Sequence, residues 1–471
     1  MIKLSLSLTP IAIATISARL CLAQSLPPIR QLGPVTAVTK DSLGAVSSIR
    51  HLPNGRVLVN DIIRRRVVMF DSTLSTMTVV ADTTSATANA YGTRPGGLIA
   101  YRADSTLFVD PASLSMLLID PNGKIARVMS APRAQDVGFL VGGPFGNPGF
   151  DPNGKLVYRA PPNFGGQGPR FGAGGLPQIP TLPDSAALVR FDLATRKVDT
   201  ATFFKTPQIK LNVTRSADGG IQVMSTTNPL PQGDDWALLP DGTIALVRTR
   251  DFHIDWLNPD GTRTASPKIP FNWERLTDEG KVAFIDSSKV AIEKARASGQ
   301  LGIGGFGPQL VMRGGPGGDG GDGAGSGRRD GRSGDAPRGG SAATPAPNAQ
   351  PGTTTATAGG STTVTVGGPG GGAFGGQLPP LTMISPSELP DYKPAFAPGS
   401  TRVDVDGNLW IRTSQNVDAR PVYDVVNRKG ELIDRVQLPA NRILAGFGEG
   451  GVVYLAVRDG TTAHLEKARV K

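Results

Sequence analysis

The sequence predicts an all-β fold, a six-bladed β-propeller with one helical insertion and a long disordered glycine-rich loop. Its composition is that of a turn-rich chain, with 61 glycines and 40 prolines. The spacing of Gly55, Ser105 and Gly154, 50 and 49 residues apart, matches about one four-stranded blade per repeat. Tight turns followed by apolar strands recur as LPNG at 52–55, DPNG at 151–154, LPDG at 239–242 and DVDG at 404–407.

The clearest blade is the stretch Asp235–Lys268, in which short apolar segments alternate with tight turns. Asp begins such a turn with a side-chain hydrogen bond, and Gly accepts the positive φ that the turn requires. A sheet of four short strands cannot bury either face alone, so it must stack on copies of itself. Its predicted strands are Trp236–Leu239, Thr243–Val247, His253–Leu257 and Arg263–Lys268.

The same pattern divides the rest of the chain into blades. The last blade shows only three clear strands, and we expect Val35–Thr39 to supply the fourth, which would close the ring and remove an open edge. The turn within 216–225 lies too close to Gly242 for another blade and is interpreted as an extra hairpin. The predicted units are 45–82, 96–130, 146–205, 234–269, 400–438 and 442–470.

Two stretches do not fit a blade. Trp273–Ala297 has Thr277 as an N-cap and Gly299 as a stop, so it is predicted to be a helix. Gly302–Gly376 is rich in Gly, Ser, Thr, Pro and Ala, and such a segment buries too little apolar surface to offset its ordering entropy. The predicted organisation is therefore a signal peptide at 1–23, one propeller domain formed by 24–301 and 381–471, and a disordered insertion at 302–380.

The N-terminus has the features of a secretory signal peptide. Lys3 precedes an apolar run, and Cys21 and Ala23 provide small residues at the −3 and −1 positions of a cleavage site after Ala23. The run is too short for a membrane anchor, so a secreted or periplasmic protein is expected, without a membrane-spanning segment. Cleavage would remove the single cysteine, which leaves a domain held together by its core.

The chain is basic, with a formal net charge of +10. Two interpretations stay open: a soluble basic surface, or attraction to an anionic ligand, polysaccharide or membrane surface. With 6% aromatic residues and an exported destination, the chain is not expected to bind nucleic acid. A monomer is expected.

The repeated LPNG, DPNG, LPDG and DVDGNLW turns, together with NPDG at 258–261, resemble those of six-bladed β-propeller proteins of the NHL-repeat, TolB-like and gluconolactonase-like group. The resemblance covers about 30–270 and 398–471, and it implies the fold but no single activity. Lactonases of this group hold a metal with a Glu from the first blade, whereas the first Glu here is Glu274. No metal site, cofactor or catalytic residue is therefore predicted, and His51, His253 and His464, in three different blades, are expected to be surface or barrel-edge residues.

The resemblance also implies that loops between strands two and three, and between blades, lie on the face that usually binds ligands. The three long insertions, Pro161–Pro183, Thr206–Gly233 and Pro270–Pro398, all belong to this face. Arginines recur there near the ends of second strands, and guanidinium groups suit carboxylates or phosphates. They could instead form salt bridges between blades. The predicted ligand-binding residues are Arg65, Arg159, Arg248, Arg250 and Arg412.

The expected function is that of an exported binding or scaffold module. Its partner would be a protein or an anionic small molecule or glycan, with Trp236 and Trp410 serving only as core. The alternative is an enzyme, a hydrolase or lyase of the lactonase-like propeller type, although the residues favour the binding module.

Overall fold

The structure is a computed structural model of the chain. The predicted signal peptide at 1–23 and most of the predicted disordered insertion at 302–380 lie outside the residues that it describes. The described residues are 26–162, 170–171, 177–178, 183–208, 210–215, 221–297, 310–314, 354–358, 362–366 and 381–470.

Six of its sheets are propeller blades, which confirms the predicted fold. Blade 1 contains Val46–His51, Val57–Asp61, Arg66–Phe70 and Met77–Ala81. Blade 2 contains Gly97–Ala100, Thr106–Asp110, Ser115–Ile119 and Ile125–Ser130. Blade 3 contains Gly149–Phe150, Leu156–Arg159, Ser185–Phe191 and Val198–Lys205.

The remaining blades follow the same antiparallel order. Blade 4 contains Asp235–Leu238, Ile244–Arg248, His253–Leu257 and Arg263–Ala265. Blade 5 contains Phe396–Val403, Leu409–Val417, Arg420–Val426 and Leu432–Gln437. Blade 6 contains Arg442–Gly448, Val452–Asp459 and Thr462–Arg469, and its outer strand is Ala37–Val38.

The segment 29–39, here called the N-terminal strap, covers the outer edges of two neighbouring blades. Ala37 lies opposite Lys467 in an antiparallel pair, so the predicted closure of blade 6 by 35–39 is confirmed. Ile29–Gln31 was not predicted as a strand, and it pairs in parallel with the last strand of blade 5. Arg30 fixes this pairing through an ion pair with Asp434.

Buried hydrophobic side chains fill all six interfaces between neighbouring blades. The interface of blades 4 and 5, for example, contains Val247 and Phe252 on one side and Leu409 and Ile411 on the other. Corresponding clusters join blades 1 and 2, 2 and 3, 3 and 4, 5 and 6, and 6 and 1. Because each sheet buries both faces against its neighbours, the ring behaves as one core.

The predicted helix is present at Asp278–Ala297. Its N-cap is the predicted Thr277, whose Oγ1 accepts a hydrogen bond from the Gly280 amide at 3.1 Å. Ile285 packs against Ile384 and Leu389 in the segment that leads to blade 5. In the part of the chain that the structure describes, no helix combines the length and the apolar character needed to cross a membrane.

Short elements outside the blades lie mainly in the insertions. Lys210–Arg215 and Ile221–Thr226 form an antiparallel pair, as predicted for an extra hairpin. The same sheet continues with Leu310–Gly314, Thr362–Val366 and Thr354–Ala358 from the predicted disordered segment, and for the rest of that segment disorder stays a prediction. The other short elements are Arg170–Phe171, Pro177–Gln178 and the 3-10 turns Ser85–Thr87, Ala134–Phe139, Gly143–Phe145 and Pro386–Glu388.

Candidate functional site

A cleft opens where blades 3, 4 and 5 meet, on the face where second strands end and first strands begin. The free space inside it, about 10 Å³, is that of roughly one water molecule. We call it the Arg159 cleft. Its walls are Pro144 and Phe145 before blade 3, Arg159, Phe204, Thr206 and Pro207 of blade 3 and the loop after it, Asp234–Trp236 at the start of blade 4, and Pro398 and Gly399 in blade 5.

All three long insertions border this cleft. Arg159 lies just before the insertion 161–183, Thr206 and Pro207 begin the insertion 206–233, and Asp234 follows it. Pro398, at the end of the predicted insertion 270–398, lies within the first strand of blade 5. Described residues at an end of each of the three predicted insertions therefore lie at this one cleft.

Arg159 is the central charged group of the cleft. Its Cζ atom lies 5.9 Å, 5.3 Å and 5.7 Å from the ring centroids of Phe139, Phe145 and Phe204. Burial lowers the pKa of the guanidinium to about 10, because the charged form loses hydration. Among the described residues, its Nε atom has no hydrogen-bond partner and the side chain forms no ion pair. It is thus a partly desolvated cation held by aromatic rings.

The two carboxylates beside Arg159 are already satisfied within the protein. Asp234 accepts hydrogen bonds from Arg248 Nη1 at 2.7 Å and from the Thr249 amide at 3.1 Å. Asp235 is buried and accepts from the Thr401 amide at 2.8 Å, and burial raises the pKa of its carboxyl. Neither carboxylate therefore neutralises Arg159.

Trp236 has a second role besides the predicted one in the core. Its side chain is buried between blades 3 and 4, as expected. It also lines the cleft, and its Nε1 donates a hydrogen bond to the Phe145 carbonyl at 3.0 Å. This bond ties the loop before blade 3 to the first strand of blade 4. Trp410, in contrast, lies in the core between blades 5 and 6.

The other predicted arginines do not line the cleft. Arg248 reaches the cleft only through Asp234, which lines it. Its guanidinium lies 2.7 Å from a carboxylate oxygen of Asp234, just before blade 4, and 2.7 Å from one of Asp255, within blade 4. Arg65 lies in the turn after the second strand of blade 1 with a φ of 48°. Arg250 is exposed in the equivalent turn of blade 4, and Arg412 is exposed on blade 5 opposite Tyr423.

A row of ionisable side chains continues from Arg248 along the third strand of blade 4. Asp255 lies 3.2 Å from His253 Nε2, and His253 Nδ1 lies 2.6 Å from Asp251. These three residues alternate along DFHID, so they share one face of the strand. That alternation is the signal by which the cluster could have been found. The phenyl rings around Arg159 carry no such local signal, because positions 139, 145 and 204 come together only in the fold.

No group of three or more His, Cys, Asp or Glu side chains within the described ranges is arranged to hold a metal ion. His51 Nδ1 contacts the Tyr454 hydroxyl at 3.1 Å, and His464 Nδ1 contacts the Thr39 carbonyl at 3.0 Å. Both contacts lie at the junction of blades 1 and 6 or at the strap. These two histidine contacts join neighbouring elements of the ring.

No family model and no curated protein matches the chain. Among solved structures, it is similar to a putative gluconolactonase with 12% identity, a TM-score of 0.34 and coverage of 94% of this chain and 95% of that one. A luciferin-regenerating enzyme shows 9% identity, a TM-score of 0.35 and coverage of 91% and 92%. A virginiamycin B lyase from Staphylococcus aureus shows 13% identity and a TM-score of 0.27, over 50% of this chain and 58% of that one. These structures are β-propeller proteins, a fold that serves many unrelated functions.

Proposed function

We propose that this propeller is an exported binding module that holds an anionic ligand in the Arg159 cleft. The observation that supports it best is a partly desolvated guanidinium without a carboxylate partner among the described residues. A charge that loses hydration without gaining a counter-ion is unfavourable, and an entering anion would supply the missing partner. Guanidinium is also the group that best receives a carboxylate or phosphate through paired hydrogen bonds.

Export is part of the same proposal and is supported by the N-terminal sequence. An apolar run after Lys3 and small residues at Cys21 and Ala23 fit a signal peptide. Sequencing the N-terminus of the protein recovered from the producing cell would test it. We expect the mature chain to begin at Gln24, in a secreted or periplasmic fraction.

A hydrolase or lyase is the competing function, and the site supports it less well. Such chemistry needs a general base within hydrogen-bond reach of the reacting group. In the described part of the cleft no histidine is present, and the oxygens of Asp234 and Asp235 already accept hydrogen bonds from the protein. Binding requires only the unpaired cation.

The test compares Arg159→Met with Arg250→Met by isothermal titration calorimetry against small anions at low salt. Methionine keeps the apolar contacts with the phenyl rings, and removing an unpaired buried charge should leave the fold intact. We expect at least a tenfold loss of affinity in Arg159→Met, no change in Arg250→Met, and weaker binding of the wild type as ionic strength rises.

Two results would overturn the proposal. One is equal binding of the same anion by wild type and Arg159→Met. The other is unfolding of Arg159→Met under conditions where Arg250→Met stays folded, because Arg159 would then be a structural cation. Circular dichroism and melting curves of both variants separate these cases.

A further inference from the structure

We infer that an exposed aromatic face beside blade 4 binds a hexose ring of a glycan. The face consists of Trp273, Arg275 and Tyr392, and we call it the Trp273 face. It lies where the chain that leaves blade 4 pairs with the chain that enters blade 5. The inference goes beyond the proposed function, because none of these three residues lines the Arg159 cleft.

The pairing of the two segments determines which side chains share the face. Arg275 and Tyr392 form an antiparallel bridge, so their side chains lie on one side of the pair. Because side chains alternate along an extended chain, Trp273 lies on that side too. Glu274 and Lys393 lie on the other side, where they form an ion pair at 2.5 Å and Lys393 lies over a phenyl ring of the helix. One side of the pair is thus anchored to the protein, and the other faces solvent.

Trp273 is the one exposed tryptophan of the four in the chain, with an exposed fraction of 40%. The buried ones are Trp236, Trp256 and Trp410. The indole of Trp273 is nonetheless fixed, because its centroid lies 5.3 Å from that of Phe271 at an interplanar angle of 77°. Phe271 packs in the same manner on the buried Phe252, with centroids 5.6 Å apart. A ligand would therefore meet a surface that is already ordered, which lowers the entropic cost of binding.

The polar groups of the Trp273 face are available to a ligand. Within the described residues, the indole N–H of Trp273 and the hydroxyl of Tyr392 form no hydrogen bond, and Tyr392 is 48% exposed. Arg275 is exposed and forms neither a hydrogen bond nor an ion pair there. Its charge adds only to the larger effect of Lys281, which holds the pKa of Asp391 below its ordinary value. All three side chains of the face can donate hydrogen bonds.

This combination of rings and donors fits a sugar. A hexopyranose has a C–H face that packs on an indole, whose ring surface is negative, and its hydroxyl groups pair with guanidinium, indole and phenol groups. The spacing also suits a single sugar ring. Trp273 and Arg275 are two residues apart on an extended chain, or about 6.6 Å, and Arg275 and Tyr392 are bridge partners, about 4.5–5.5 Å apart.

A protein partner fits the Trp273 face less well. A fully covered aromatic side chain buries about 150–250 Å², and both rings here are less than half exposed. Together with Arg275 they offer far less than the roughly 800 Å² per partner of a stable protein interface. The exposed neighbours Asn272 and Asp391 are polar.

The experiment titrates the full chain with cellotetraose, chitotetraose and mannotetraose at millimolar concentrations, by calorimetry and by tryptophan fluorescence. Since the other three tryptophans are buried, acrylamide quenching reports mainly on Trp273. We expect at least one of the sugars to bind and to reduce this quenching at least twofold. Sorbitol, which has hydroxyl groups but no ring, should do neither.

Variants show whether the sugar binds at the Trp273 face. Trp273→Ala should weaken binding at least tenfold and Tyr392→Ala at least threefold, whereas Trp273→Phe should keep part of the affinity. Phe203→Ala is the control, because Phe203 is a 60% exposed ring on the outer strand of blade 3, and it should bind as the wild type does. If Trp273→Ala melts at a lower temperature than the wild type, Tyr392→Ala decides.

Three results would overturn the inference. The first is that none of the three tetrasaccharides binds. The second is binding that persists unchanged in Trp273→Ala and Tyr392→Ala. The third is self-association of the wild type in sedimentation experiments that Trp273→Ala abolishes, because the face would then be a contact between protein chains.

Discussion

A Cβ atom on Gly146 would lie 2.3 Å from Nε1 of Trp236, closer than any real contact allows. Gly146 also has a φ of 90°, which side chains rarely adopt. The loop before blade 3 can therefore pack against the indole only because this position is glycine. That packing places the Phe145 carbonyl where Trp236 donates to it, and it forms one wall of the Arg159 cleft.

Gly146→Ala is therefore expected to destabilise the protein and weaken anion binding. Gly261→Ala is the matched control, because Gly261 has a φ of 88° with no atom within 4 Å of a Cβ. Both variants should lose about 1 kcal/mol through backbone strain, and Gly146→Ala about 1–3 kcal/mol more through the clash. Urea denaturation measures the difference. Equal losses in the two variants would mean that the loop moves away from Trp236 at no cost.

Arg248 and Arg250 occupy neighbouring positions but should respond differently to substitution. Arg248→Met leaves Asp234, which is nearly buried, without its charged partner, and also releases Asp255. We expect a loss of about 1–3 kcal/mol in unfolding free energy for Arg248→Met. Arg250→Met, at an exposed turn, should stay within about 0.5 kcal/mol of the wild type. Similar stability of the two variants in urea would show that the bridges of Arg248 contribute nothing.

The carboxyl of Asp424 should make stability depend on pH. It is buried against Arg435, with Oδ1 3.3 Å from Nε, and its Oδ2 has no hydrogen-bond partner among the described residues. Burial raises the pKa of Asp424 from 3.8 to about 6, against the opposing effect of Arg435. The folded state thus holds this proton more tightly than the unfolded state. The resulting stabilisation is complete below pH 3.8 and is lost as the pH rises through 6.

Asp424→Asn removes this titration and provides the comparison. Relative to the variant, the unfolding free energy of the wild type should fall by about 3 kcal/mol between pH 3.5 and 7, since one pKa unit corresponds to about 1.4 kcal/mol. Denaturation curves of both proteins at several pH values give the result. Parallel pH profiles would show that the pKa of Asp424 is the same in the folded and unfolded states.

Removing the N-terminal strap should open the ring. The amides of Gly33, Thr36 and Thr39 donate to the carbonyls of Arg469, Lys467 and Leu465 at 2.8 Å, 2.7 Å and 2.9 Å. At about 1 kcal/mol per hydrogen bond, deletion of 24–40 should cost at least about 3 kcal/mol and expose the edge strand of blade 6 to aggregation. Deletion of 24–31, which uncovers blade 5 alone, should cost less. Unchanged melting temperatures in both truncations would mean that the ring closes without the strap.

The blades could be predicted because each depends on local chemistry. Turns such as 239–242 combine an Asp with a Gly, and the apolar strands beside them bury both faces, so blade positions follow from spacing alone. The cap at Thr277 was predicted for the same reason. The strand Ile29–Gln31 was missed because three residues carry too little periodicity, and its partner strand lies more than 400 positions away.

The site was predictable only in part. Arg159 was identified from its place at the end of a second strand, and that place does face the cleft. Arg65 and Arg412 occupy comparable sequence positions, but equivalent positions in different blades are separated by rotation around the propeller axis. The partners that distinguish Arg159 from Arg248, phenyl rings in one case and carboxylates in the other, are set by contacts between blades and loops.

The N-terminal strap is expected to slow the folding of the propeller. Thr36 and Lys467 are joined by a hydrogen bond although they lie 431 positions apart. The strap is the first part of the propeller to be synthesised, but it can pair only after the last strand of blade 6 has been made. Contacts of such long sequence separation slow folding, because the entropy of loop closure is lost before the contact forms. During that interval the edges of blades 5 and 6 are open to other chains, so the yield of native protein should depend on concentration during refolding.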